Sequence, residues 1–206
     1  MTVMRENIKN IVFDMGKVII DFDPEIFMDR LAITDEKDRG LLKEKIYDSP
    51  LWKQMDHGDL DEQRMIEIVE PELPDHLKSY ARPLISRWCD PIIMIEGMSD
   101  LVFKLKRKGY GIYLLSNASV MQKNYWPSIS CASFFDGVVV SAFEHVMKPD
   151  PRIYEILLER YGLTADECIF IDDRKDNIEA AGKLGFDTFL FEGHADELER
   201  YIENES

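Results

Sequence analysis

Apolar residues occur along this chain in two rhythms. From residue 98 onward, short unbroken apolar runs alternate with longer stretches in which apolar residues recur every third or fourth position. The runs YGIYLLSN (110–117), GVVVSA (137–142), CIFIDD (168–173) and TFLFEG (188–193) predict strands. Between and after them, MSDLVFKLKRKG places Met98, Leu101, Val102 and Leu105 on one helical face, with Gly109 as a stop. DPRIYEILLERYG carries Asp150 as N-cap, Pro151 in the first turn and Gly162 past the end, which predicts a helix. DNIEAAGKLG and ADELERYIE predict two more. An earlier apolar run, IVF (11–13), leads into Asp14 and a turn at Gly16.

Strand–helix alternation with nearly continuous apolar strands predicts an α/β fold: a parallel sheet with helices on both faces. The interval 23–91 breaks the rhythm. It holds helical stretches such as PEIFMDRLA and DEQRMIEIVE and little that reads as a buried strand. The expected organisation is therefore a core domain, residues 1–22 and 92–206, with a small helical cap, residues 23–91, inserted after the first strand.

Four of the five strands end in polar residues: Asp14, Ser116–Asn117, Ser141 and Asp172–Asp173. In open parallel sheets ligands bind at the carboxyl ends of the strands, so these four endings converge on one place. Three carboxylates there repel one another unless a cation joins them. Oxygen donors without a Cys or His partner suit a hard ion such as Mg²⁺, which takes few carboxylates together with water and phosphate. Lys148, just before the Asp150 cap, adds positive charge. Ser116, Asn117 and backbone N–H groups near helix starts supply donors for phosphate oxygens. That set matches phosphoryl transfer through an aspartyl phosphate.

Composition narrows the partners. A net charge of −15 on 206 residues disfavours nucleic acid or an anionic membrane surface, and an anionic small molecule would need local positive charge. Cys89, Cys131 and Cys168 are scattered and odd in number, which reads as reduced thiols rather than a disulfide framework or a zinc site. With no secretory-type leader and no membrane-length apolar segment, a cytoplasmic location is expected.

The segments DMGKV, LLSN, the lysine of KPDPRIY, and IDDRKDN, in that order and at strand ends, resemble the haloacid dehalogenase-like hydrolase superfamily over essentially the whole chain. The resemblance implies a Rossmann-like core with a helical cap. It implies Asp14 as nucleophile and metal ligand, with the Gly16 carbonyl as a second ligand. It implies Ser116 and Asn117 as phosphoryl-binding residues and Lys148 as a brace for nucleophile and phosphate. Asp173 is the expected direct Mg²⁺ ligand and Asp172 the one acting through water, or the two with these roles exchanged, with Asp176 and Asn177 behind them or capping the helix. FDMGKVIIDFDP, HGDLDEQ and NYWP further resemble the bacterial alpha-D-glucose-1-phosphate phosphatases of that superfamily, which implies a phosphorylated sugar as substrate.

Most phosphatases of the superfamily carry an acid–base aspartate two residues after the nucleophile, and this chain has Gly16. Asp21 and Asp23 are the nearest replacements in sequence. Two other classes stay open: a metal-independent 2-haloacid dehalogenase, disfavoured by the Asp172–Asp173 pair, and a non-catalytic binding protein, disfavoured because the other catalytic positions are filled. Trp52, Met55 and His57 are read as packing within the cap rather than as pocket wall; Trp126 and Pro127 are undecided.

Overall fold

In the computed structural model, which describes residues 7–203, five strands form one sheet: β1 Asn10–Phe13, β2 Gly111–Ser116, β3 Gly137–Val140, β4 Cys168–Asp172 and β5 Asp187–Leu190. All neighbours are parallel, in the order β3-β2-β1-β4-β5. The expected strand over 137–142 stops at Val140, and Ser141 opens a one-turn helix instead.

The helices, in chain order, are α1 Pro24–Arg30, α2 Glu36–Leu42, α3 Pro50–His57, α4 Glu62–Val69, α5 Lys78–Ser86, α6 Met98–Arg107, α7 Gln122–Tyr125, α8 Ser141–Glu144, α9 Pro151–Tyr161, α10 Lys175–Lys183 and α11 Ala195–Glu203. Alternation along the strands divides them between two layers. Ile11 and Phe13 of β1 pack on one face with Leu101, Val102 and Leu105 of α6 and Leu198 and Ile202 of α11. Val12 and Phe170 pack on the other with Ile153, Tyr154 and Leu157 of α9 and Ala181 of α10. Helix α9 begins and ends where its signals place it: the Asp150 side chain accepts from Arg152 N at 2.9 Å, and Gly162 closes the helix at φ 63°.

Helices α1–α5 lie between β1 and β2. The chain leaves and re-enters the core through paired segments, with Asp21 N donating to Ile93 O at 2.8 Å and Ile95 N to Ile19 O at 3.0 Å. Two further contacts join this insert to strand ends. Ser119 Oγ donates to the Glu62 carboxylate, and Ser141 Oγ donates to the Asp56 carbonyl. Between them the insert touches the core backbone. Gly58 ends α3 at φ 88°, and a Cβ there would sit 2.2 Å from Ala142 O. Only glycine permits both that φ and that approach.

Among the described residues no helix is long and apolar enough to cross a membrane. Cys89, Cys131 and Cys168 are unpaired thiols.

Candidate active site

Strand register creates the site. Phe13 of β1 aligns with Ile171 of β4, so Asp14 and Asp172 become neighbours one residue beyond, and Asp14 N donates to Ile171 O at 2.8 Å. Oxygens of Asp14, Asp172 and Asp173 lie within 4.8 Å of one another. Lys148 Nζ, buried, bridges the first two, 2.7 Å from Asp14 Oδ1 and 2.7 Å from Asp172 Oδ2. One ammonium among three carboxylates leaves two negative charges uncompensated.

The environment acts on each group differently. Burial pushes the Asp14 carboxyl up to about 7, with Lys148 opposing and Asp172 adding to the rise. Burial draws the Lys148 ammonium down, yet the Asp14 and Asp172 carboxylates outweigh it and hold the group above its ordinary value. Asp173 is raised by burial and then by Asp172.

Asp172 is fully buried and its oxygens are engaged. Besides Lys148, they accept from Asn177 Nδ2 at 3.0 Å and from Arg174 N at 2.9 Å. Asp173, by contrast, lines an open cavity of about 540 Å³ at the strand ends, together with Asp14, Gly16, Asn117 and Lys148. That size falls within the roughly 300–1,000 Å³ of small-molecule sites. The exposed donors are thus carboxylates without nitrogen or sulfur, a set that fits a hard divalent cation.

Asn117 holds the loop that carries Lys148: its Nδ2 donates to Lys148 O at 2.9 Å, and Lys148 N donates to its Oδ1 at 2.8 Å. Ser116 Oγ is buried without a hydrogen-bond partner, although Ser116 is not among the cavity-lining residues. Asp176 accepts the Arg174 guanidinium at 2.8 and 3.1 Å and the Asn177 N–H at 3.1 Å, which makes it a brace at the start of α10.

At Gly16 neither backbone nor space demands glycine. A Cβ there would meet only Phe22 Cβ, at 3.8 Å, an ordinary contact. Of the two expected replacements, Asp23 lines the cavity but caps α1 by accepting from Glu25 N at 2.9 Å. Asp21 is not part of the cavity wall.

The insert, together with Phe22 and Tyr125 of the core, supplies the rest of the wall. Phe22, Tyr47, Trp52, Trp88 and Tyr125 form an aromatic surface, with Phe22 5.6 Å from Trp52 and 4.9 Å from Trp88 between ring centroids. Trp52 and Met55 therefore pack and line the cavity at once, whereas His57 lies outside it. Trp126 packs edge-on against Phe135 and is not part of the wall. Lys17, Lys43, Lys148 and Arg174 bring the local positive charge that an anionic ligand needs against the net charge of −15.

Sequence reasoning missed Asp56. This half-buried residue of α3 lines the cavity, and no donor or cation among the described residues engages its carboxyl. Burial first, then the charges of Asp14 and Glu62, push that carboxyl up to about 8. Its local sequence marks it only through Gly58, two residues on, because its position depends on α3 docking against α8.

A family model described as haloacid dehalogenase-like hydrolase matches residues 8–185. A D-ribitol-5-phosphate phosphatase from Bacteroides thetaiotaomicron is 27% identical over 205 residues, covering 92% of this chain and 94% of its own. A sesquiterpene phosphatase from Aspergillus oryzae is 26% identical over 179 residues, covering 86% of each chain. The magnesium complex of a haloacid dehalogenase-family enzyme from Bacteroides thetaiotaomicron superposes with a TM-score of 0.73 at 22% identity, covering 95% of this chain and 99% of that one. The family match spans most of the sequence, the sheet order and motif-bearing strand ends agree with it, and the chain belongs to the haloacid dehalogenase-like hydrolases.

Proposed function

We propose that this hydrolase is a Mg²⁺-dependent phosphatase of small phosphorylated metabolites, acting through an aspartyl phosphate on Asp14. The observation that carries the reading is the cluster of Asp14, Lys148, Asp172 and Asp173 at the base of a cavity roofed by the insert. In this reading residues 23–91 are a cap, and the free thiols suit a cytoplasmic protein.

Asp14 attacks phosphorus, the ester oxygen leaves with its electron pair, and water then cleaves the acyl phosphate to restore Asp14 and release phosphate. Lys148 opposes the burial that favours protonated Asp14, and it faces the incoming phosphate charge. Ser116, with its unpartnered hydroxyl, and Asn117, at the wall, receive the transferred phosphoryl group. Asp14, Asp173 and the Gly16 carbonyl would hold Mg²⁺, with Asp172 behind them; when bound, the ion offsets phosphate charge and polarises the phosphoryl oxygens.

The aromatic wall suits the C–H faces of a sugar or polyol, and Lys17, Lys43 and Asp48 stand ready for hydroxyls and charge. Alpha-D-glucose 1-phosphate is the first compound to try, because its anomeric oxygen leaves with little protonation. The Bacteroides relative, named for D-ribitol 5-phosphate, puts primary-alcohol esters on the same panel. Purified protein assayed against that panel should turn over sugar or polyol phosphates with Mg²⁺ and none in chelator. Full turnover in chelator, or halide release from a 2-haloacid, would overturn the proposal.

The paired aspartates separate by the same assay. Asp173→Asn should raise the Mg²⁺ concentration needed for half-maximal rate far more than Asp172→Asn does. Asp172→Asn should instead lower the melting temperature more, since it disturbs a buried carboxylate that holds Lys148, Asn177 and Arg174 N. Equal metal titrations for the two variants would reverse the assignment.

A further inference from the structure

We infer that Asp56, carried by the cap, is the general acid–base catalyst of this site and replaces the carboxyl group that Gly16 lacks. The inference rests on the phosphatase reading above and assigns the proton transfers within it.

Three observations support it. First, the missing carboxyl has no free replacement close to the nucleophile. Asp23 is committed to capping α1, Asp21 lies off the cavity wall, and Asp172 is fully hydrogen-bonded. Second, Asp56 reaches the cavity that contains Asp14, from the opposite, cap side, with no hydrogen bond or ion pair to its carboxyl among the described residues. Burial first, and then the charges of Asp14 and Glu62, favour in this unpartnered carboxyl the protonated form that a donor must have. Third, its backbone is fixed to the core. Ser141 Oγ donates to the Asp56 carbonyl, and Gly58, two residues on, abuts the Ala142 carbonyl so closely that no side chain fits. Ser141 and Ala142 follow directly on β3. A cap residue tied in this way to a strand end keeps its place relative to Asp14.

The proton balance closes. In the first half-reaction an Asp14 oxygen bonds to phosphorus, the P–O bond to the leaving group breaks, and the leaving oxygen takes the Asp56 proton. In the second, the Asp56 carboxylate takes a proton from water, the water oxygen bonds to phosphorus, and the P–O bond to Asp14 breaks. Asp14 returns as carboxylate and Asp56 as acid.

Leaving-group dependence tests this. Wild-type protein and Asp56→Asn are assayed with Mg²⁺ on a series of aryl phosphates from 4-nitrophenyl to 4-methoxyphenyl, and on the alkyl phosphate that wild-type protein turns over fastest. A proton donor matters more as the leaving oxygen becomes more basic. In Asp56→Asn, kcat/KM should therefore fall least for 4-nitrophenyl phosphate and roughly a hundred- to ten-thousand-fold for the alkyl ester. Phosphorylated enzyme should accumulate as the second step slows. Asp56→Glu should restore part of the shallow leaving-group dependence, while a melting curve of Asp56→Asn confirms folding. A uniform loss across the series, or none, would overturn the assignment while leaving the phosphatase reading intact. Wild-type protein inactive on every phosphate would overturn both.

Discussion

Asp14→Asn should reduce phosphatase turnover by at least about 10⁴-fold while leaving a folded, cooperatively melting protein. Asparagine keeps the shape but is no nucleophile, and it removes one of the carboxylates that face the cavity. Stability should move the other way. The Asp14 carboxyl rises from 3.8 to about 7 on folding, with burial as the largest cause. An acid raised by folding binds its proton more tightly in the native state, so it favours folding when protonated and disfavours it when ionised. In metal-free wild-type protein the Asp14 contribution is therefore lost as pH climbs from about 4 through about 7. Asp14→Asn lacks that loss. Thermal melts in chelator should show the variant at least as stable as wild-type protein near neutral pH, with a flatter dependence across this interval. Retained turnover would overturn the nucleophile assignment; a variant that unfolds near neutral pH but not in acid would overturn the electrostatic account.

The strands and the core helices are legible in the sequence because their signals are local. Val12, Phe13, Val138–Val140 and Ile169–Ile171 form unbroken apolar runs, and Asp150, Pro151 and Gly162 bound α9 by short-range chemistry alone. The chemistry at strand ends is legible for a related reason. Parallel strands in register put Asp14 beside Asp172 as soon as β1 pairs with β4. What resists reading is whatever depends on the insert meeting the core. Trp52 and Met55 have the composition of packing residues, and their second role as cavity wall follows from the tertiary arrangement around Phe22 and Trp88. Asp56 lies 42 residues along the chain from Asp14, against two for the superfamily's usual acid, so a search near the nucleophile stops at Asp21 and Asp23. The one local trace of its placement is Gly58, whose left-handed φ and contact with Ala142 O mark a close crossing. Asn117 shows the same limit: its place after a strand suggests a phosphate donor, and nothing local says that its amide also holds the Lys148 loop.

Lys148→Ala should damage both turnover and fold, and the size of the second effect should depend on pH. Lys148 Nζ is the shared partner of two buried carboxylates, Asp14 and Asp172, at 2.7 Å from each. Removing one member of a buried ion pair costs about 3–5 kcal/mol, because a charge is left without compensation. Here two like charges remain, and they repel. Asp14, already raised to about 7 by burial against the opposing pull of Lys148, should rise further once that pull is gone. The folded variant should then take up a proton that the unfolded chain releases, so its stability should fall as pH rises and partly recover in acid, where the proton stands in for the ammonium. Turnover at neutral pH should fall about a hundred- to thousand-fold, since the nucleophile is held protonated and the phosphate loses a fixed positive charge. Lys148→Arg should not restore it, because a planar guanidinium does not reproduce a point charge placed between two carboxylates in a fully packed position. Chemical denaturation of the metal-free variant at about pH 5 and about pH 8, beside wild-type protein, measures the difference directly. A stability loss of equal size at both values would mean that Lys148 serves this site by packing, and that its charge is not what keeps Asp14 ionised.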